Sequence, residues 1–273
     1  ASWTQTTNYA GTVTIQTRYP DQGGFTNLTI TGSCFVEGGV WTHAGPQTAQ
    51  IYNLGLSVGG DFTLGPRALI NLDTKGWKDS NGNSQVGPGG GSVNYYTKGV
   101  YDFGAAHGGM GGDRNWKSDF TYGSIFRPEH LGSGAGRSGG GGGALRLVCN
   151  GRVAVNGEIR ARGGSYDGYG GSSGGSIFIQ ATELSGTNRL CVSAQAGSDA
   201  GAGGRIAVVL TSGSSFGAVA MEAFGGTGSM AGSYASSRTR EGAAGTIYLQ
   251  KAGQAANEGL LILDNGGLPN FFP

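Results

Sequence analysis

The chain has 273 residues, 58 of them glycine, against a usual share of roughly 7%. With 37% hydrophobic and 10% aromatic residues it is too apolar for a disordered chain, so its glycines must be segregated from the residues that build a core. Charged residues are 13% and the net charge is +1, which excludes a nucleic-acid footprint, and no apolar run approaches the ~18 residues of a membrane span.

Residues 1–54 read as N-terminal strands, with a cap and the first coils. GTVTIQT (11–17), NLTITGSCFVEGGVWTHAG (27–45) and AQIYNLGLSV (49–58) alternate apolar and polar residues, the period of a strand with one buried face. Residues 55–267 repeat. Five segments of 21 or 22 residues share one plan: 55–76, 144–164, 176–197, 205–226 and 246–267. Each opens with apolar residues at its second and fourth positions: Leu56/Val58, Leu145/Leu147, Ile177/Ile179, Ile206/Val208 and Ile247/Leu249. A polar turn follows, then a second alternating stretch such as Ile159/Ala161, Val192/Ala194 or Met221/Ala223, and each unit closes in Gly.

Between the units lie Gly-rich inserts of unequal length, 77–143, 165–175, 198–204 and 227–245. A fixed unit with variable inserts predicts an all-β fold, a parallel β-helix (β-solenoid) whose inserts project from one face. The competing sandwich or barrel of antiparallel hairpins needs Asn-Gly or Asp-Gly turns. Asn150-Gly151 and Asn156-Gly157 supply them in one unit only. The large insert at 77–143 holds Trp77, Tyr95, Tyr96, Tyr101, Phe103, Trp116, Phe120, Tyr122 and Phe126, which are expected to fold it onto the flank. Runs such as Gly139 to Gly143 are expected to lie extended, hydrogen-bonded against neighbouring loops. Residues 128–134 have room for one helical turn at most, and 268–273 form a C-terminal tail.

The ordered pieces GDFTLGPRALINLDTKGW (60–77), AAHGGMGG (105–112), YGSIFRPEHLGSGAG (122–136), GGGALRLVCNGRVAVNGEIRARGG (141–164), GGSIFIQATELSG (174–186), GGRIAVVL (203–210), GAAGTIYLQ (242–250) and LILDNGG (261–267) are informative together. Their order resembles a Gly-rich repeat module of large secreted and surface (adhesin-like) proteins of environmental bacteria. The likeness spans residues 50–267 and rests on the order of the pieces, each of which is low in complexity. The resemblance implies an extracellular or cell-surface, non-catalytic role and supplies no catalytic residues. A chain beginning at Ala1 suits a processed secreted protein or an excised module.

The residues that carry chemistry are scattered. His43, His107 and His130 show no metal-ligand spacing, and His107 is expected to fix its loop by a hydrogen bond. A β-helix enzyme acting on acidic polysaccharide would gather carboxylates such as Asp73, Asp102, Asp113, Asp119 and Asp167 with Arg160 and Arg162. Asp73 and the two arginines end equivalent strands, where ion pairs or solvated surface are the simpler reading. No paired carboxylates for glycoside hydrolysis stand out, so the chain is read as a non-enzyme without a cofactor. Asp79 to Asn83 opens like a calcium loop, but Gly90 stands where an EF-hand needs Glu. Asp73 and Asp79 are the candidates for an irregular calcium site, set against a plain polar turn. Cys34, Cys149 and Cys191 read as three isolated buried thiols rather than a bridge and a free thiol.

The first functional reading is an extracellular structural or adhesive protein, a filament or matrix subunit that self-assembles head to tail. Trp3, Val13 and Ile15 at one end and Leu268, Phe271 and Phe272 at the other are the interface candidates, unless both tails fold back as caps. The second is a glycan-binding surface module stacking sugars on Trp77, Tyr95, Tyr96 and Trp116. The third is a carbohydrate-active β-helix enzyme, which requires a convergent carboxylate or Arg cleft.

Overall fold

Side-chain alternation sets the strands. In a computed structural model covering residues 1–78, 86–91, 103–112, 120–135, 139–165, 170–197, 199–228 and 241–268, the first part of the chain forms seven of them. They are β1 (Trp3–Gln5), β2 (Thr12–Thr14), β3 (Thr17–Arg18), β4 (Leu28–Ile30), β5 (Cys34–Thr42), β6 (Tyr52–Val58) and β7 (Phe62–Asn71). β7 carries Pro66 in its interior. Val36 of β5 pairs with Leu64 and Gly38 with Arg67, so Gly65 and Pro66 stand together opposite Glu37. Proline donates no ladder hydrogen bond, and such a bulge is where a strand tolerates it.

The later repeats each contribute a longer strand and one or two short ones. They are β8 (Ala144–Cys149), β9 (Val153–Val155) and β10 (Glu158–Arg160); β11 (Ser176–Ala181), β12 (Leu184–Gly186) and β13 (Arg189–Cys191); β14 (Arg205–Leu210) and β15 (Ala220–Glu222); and β16 (Thr246–Gln250) and β17 (Leu260–Ile262). Among the described residues there is no α-helix. One 3-10 turn lies at Pro20–Gln22, and 128–134 forms none.

The strands sort into two sheets. Sheet I runs β1-β5-β7-β10-β13-β15, with β2 on β5 and with β9 joining β7 to β12. Sheet II runs β17-β16-β14-β11-β8-β6-β3, with β4 on β6. Pairing is parallel except at β3–β6 and β16–β17. Parallel pairing of successive repeats puts like residues in rows. Leu54, Leu145, Ile177, Ile206 and Ile247 form one row in sheet II. Trp41, Ile70, Ile159, Leu190 and Met221 form one in sheet I. Side chains of both sheets join in one apolar core. Each buried Leu or Ile there contributes ~1.5–3 kcal/mol. The outer face of sheet II also needs cover, because parallel strands are stable when both faces are buried. Phe178, Ala207 and Tyr248 on that face pack with Phe126 of the large insert, whose ring meets Tyr248 edge-on at 5.0 Å.

Two repeat alignments differ from the sequence reading by two residues. Leu56 stands opposite Leu147, not Leu145, and Ile159 opposite Leu190, not Val192. A slip of two keeps every side chain on its own face, so the apolar pattern cannot detect it. Backbone bonds at the turns decide it, with Asn150 N–H on Val58 O and Gly151 N–H on Gly60 O. The fifth unit departs further. After β16 the chain reverses and β17 returns antiparallel on it, so LILDN does not extend sheet I. The reversing loop is closed by Gln254, whose Oε1 accepts from Lys251 N at 2.7 Å and whose Nε2 donates to Glu258 O at 3.0 Å.

All the Gly-rich connections lead from sheet I back to sheet II, and they bond to one another. In 171–175, consecutive N–H groups reach different segments: Gly171 to Asp199 O, Ser172 to Gly164 O, Ser173 to Ser133 O, Gly174 to Ala202 O and Gly175 to Ala161 O. Every third residue returns to the same neighbour. That is the rotation of a polyproline II helix, which has three residues per turn and no internal hydrogen bonds. Gly141, Gly142 and Gly143 do likewise, donating to Trp77, Ser173 and Leu72 carbonyls. Paired strands meet their backbone needs in ladders, whereas in this layer N–H groups are met by carbonyls of neighbouring extended glycine segments.

Candidate functional site

Parallel stacking gathers charge on the outer face of sheet I. Arg160 is in register with Asn71, which brings it to the loop after β7. Asp73 Oδ2 lies 2.9 Å from Arg160 Nε and 2.9 Å from Arg162 Nη2, and its Oδ1 accepts from Arg162 N at 2.8 Å. Glu158 continues the ladder to Arg160 at 3.2 Å and Arg189 at 2.7 Å, and Arg189 reaches Glu222 at 3.4 Å. The hydrogen bond that Arg162 donates to Asp73 raises the pKa of Arg162, and the one that Arg189 donates to Glu158 raises the pKa of Arg189. Asp73 and its two arginines therefore meet, as their strand positions suggested. They meet as an ion-pair network in which both Asp73 oxygens are engaged. Among the described residues no group of three His, Cys, Asp or Glu is placed to hold a metal. Asp79, Asp102, Asp113, Asp119 and Asp167 lie outside the described residues.

The ladder borders an open groove of about 400 Å³ whose walls include Arg162, Arg189, Gln195, Glu222, Phe224 and Leu268. Asn265 closes one side, accepting from Gly225 N at 2.7 Å and donating to Gly242 O at 3.1 Å.

At the N-terminal end, Trp3 is half-buried and meets Trp41 edge-on at 5.5 Å, Val13 packs against the core, and Ile15 is buried. At the other end, Leu268 lines the groove, while Phe271 and Phe272 lie outside the described residues. The sequence points to the stretch 260–273 as a tail able to pair with a neighbour, but its named interface candidates leave out the leucines before Leu268. Leu260, Leu261 and Leu263 are 59%, 43% and 67% exposed on and beside edge strand β17. Four apolar residues in a row, Leu260 to Leu263, were the available signal, since a strand turns alternate residues outward. Of the aromatic glycan candidates, Trp77 packs against the cluster of Tyr19, Leu131 and Ala144. Tyr95, Tyr96 and Trp116 lie outside the described residues.

A polar cluster sits inside the glycine layer. The Nδ1–H of His107 donates to Gly174 O at 2.7 Å, which fixes the loop as expected, and the ring stacks on Tyr122 at 4.5 Å. Tyr122 donates to Leu131 O at 2.6 Å. Arg205, 5% exposed, bonds Tyr122 O at 2.8 Å and Thr246 Oγ1 at 3.0 Å. Burial pulls His107 down to about 3 and lowers Arg205, and it raises Tyr122. The three thiols are free and buried, and burial pushes Cys34 up to about 12. No helix among the described residues is long and apolar enough to cross a membrane. Compared with known proteins, the chain matches no family model, no curated protein and no solved structure.

Proposed function

We propose that this chain is an extracellular structural or adhesive protein, a rigid β-solenoid that assembles head to tail into a filament or matrix. The solenoid reading is supported by parallel pairing of successive repeats in both sheets, the first four repeats crossing from sheet II to sheet I and returning through the glycine layer. The observation that carries assembly is the C-terminal edge. Strand β17 has no outer partner among the described residues and exposes Leu260, Leu261 and the adjoining Leu263. Unpaired backbone beside exposed leucine is a template for another chain. The opposite end presents the short edge strands β1, β2 and β4 and exposed Phe25 and Phe35. Two different ends make a heterologous contact, which grows into an open filament where its rotation does not close a ring.

Sedimentation velocity over a concentration series tests this. Wild-type chain is expected to grow in mass with concentration and the Leu261→Lys/Leu263→Lys variant to remain monomeric. A wild-type chain that stays monomeric throughout defeats the assembly reading.

The groove beside Phe224 favours a second reading, a glycan-binding surface module. Guanidinium, carboxylate and amide groups beside an aromatic ring suit a sugar. Glycan-array binding that falls on Phe224→Ala would support it, and an array without hits would remove it.

A further inference from the structure

Two imidazoles in the glycine layer hold nitrogens without a hydrogen-bond partner among the described residues. His107 is fully buried, and its Nδ1 lies 2.7 Å from the Gly174 carbonyl. A carbonyl oxygen only accepts, so Nδ1 carries the proton and Nε2 presents a lone pair. That lone pair meets no donor among the described residues, and His130 Nδ1 is likewise buried without a partner. Both nitrogens border one spot. The point that a Cβ on Gly123 would occupy is 3.3 Å from His130 Nδ1 and 3.7 Å from His107 Nε2. Gly123 places no side chain there and has a left-handed φ of 79°.

Neither nitrogen exposes as much as 1 Å² to a water-sized probe. A water would stand ~2.8–3.0 Å away, whereas a metal ion binds imidazole at ~2.0–2.1 Å and needs less room. His107 is also held as metal-binding imidazoles are held: its second nitrogen is bonded to a backbone carbonyl and its ring is stacked on a Tyr122 that is itself anchored. Arg205, bonded to the carbonyls of Tyr122 and His107, adds positive charge beside the pair and disfavours a highly charged ion. We propose that His107 Nε2 and His130 Nδ1 form a two-nitrogen site for monovalent copper, an ion that accepts two ligands and suits imidazole.

The test is titration of the whole chain with Cu⁺ under anaerobic, reducing conditions against a coloured competing chelator, with Zn²⁺ titrated in parallel. The expected result is one equivalent of Cu⁺ with two nitrogen ligands by X-ray absorption. His130→Gln is expected to weaken binding at least 100-fold while the circular dichroism spectrum stays that of wild type. His107→Gln should do the same if it folds, and His130→Gln decides the matter if it does not. Three outcomes overturn the proposal: no Cu⁺ retained by wild type, Cu⁺ binding unchanged in His130→Gln, or Zn²⁺ taken by this pair in preference to Cu⁺.

Discussion

The most exacting requirement in this fold is the absence of a side chain at Gly174, where the connection before β11 crosses the one before β14. A Cβ there would stand 1.7 Å from Val192 O and 2.7 Å from Gly204 N, where ordinary contact begins at 3.4 Å. The two segments would have to part by well over an ångström. Gly174 N–H on Ala202 O, at 2.9 Å, and Gly204 N–H on Val192 O, at 2.8 Å, lie in the path of that movement. Losing two buried backbone bonds costs ~1 kcal/mol each. Forcing atoms into a filled site adds ~1–3 kcal/mol. Gly174→Ala is therefore expected to destabilise the chain by about 3–5 kcal/mol. Gly213→Ala is the control, because a Cβ there would stand 3.1 Å from Glu183 Cγ and 3.2 Å from Thr182 O, more than an ångström looser than at Gly174. That change should stay within ~0.5 kcal/mol. Urea unfolding followed by circular dichroism reads both. With a slope near ~3 kcal/mol/M, the midpoint of Gly174→Ala should fall by roughly 1–2 M. A Gly174→Ala midpoint close to that of Gly213→Ala would refute the close-packed glycine layer.

The core and the charged groups give further expectations. Ile159→Ala empties a fully buried place in the sheet I row and should cost ~2–5 kcal/mol in the same urea assay. Asp73→Asn leaves Arg160 and Arg162, 25% and 29% exposed, without their shared carboxylate, for a loss of about 1–2 kcal/mol; a neutral result would make the ladder ornamental. Burial holds His43 at about 4 and His107 at about 3, below the ordinary 6.5. Between those values the unfolded chain binds more protons than the folded one. Stability is thus full above pH 6.5 and falls as the pH drops toward 4, by up to ~1.4 kcal/mol per pH unit for each imidazole. His43 Nε2 accepts from Ala144 N at 3.2 Å, a bond that protonation breaks. Thermal melts at pH 7 and pH 5 check the slope, and a chain equally stable at both would contradict it.

Legibility in the sequence followed what each feature is made of. The row of Leu145, Ile177, Ile206 and Ile247 was readable because period-two alternation reports a buried face directly. The same period is blind to shifts of two, which is why Leu56 and Val192 were matched to the wrong rungs. Asp73 with Arg160 and Arg162 was readable from equivalent strand ends. The reversal of β17 was not, since it depends on bonds made by Gln254 inside a loop. Glycine segments carry no side-chain pattern, so their composition announced close approach while their threefold bonding stayed hidden. His107 and His130 both border Gly123 through the folding of the insert, a juxtaposition that no spacing encodes.

The measurement that bears most directly on the proposed solenoid and its assembly is diffraction from aligned native material, with negative-stain imaging of the same sample. Strands stacked along the growth axis predict long, unbranched filaments with a meridional reflection near ~4.8 Å. Monomeric particles at high concentration, or filaments whose ~4.8 Å spacing lies off the fibre axis, would contradict head-to-tail growth through the sheet edges.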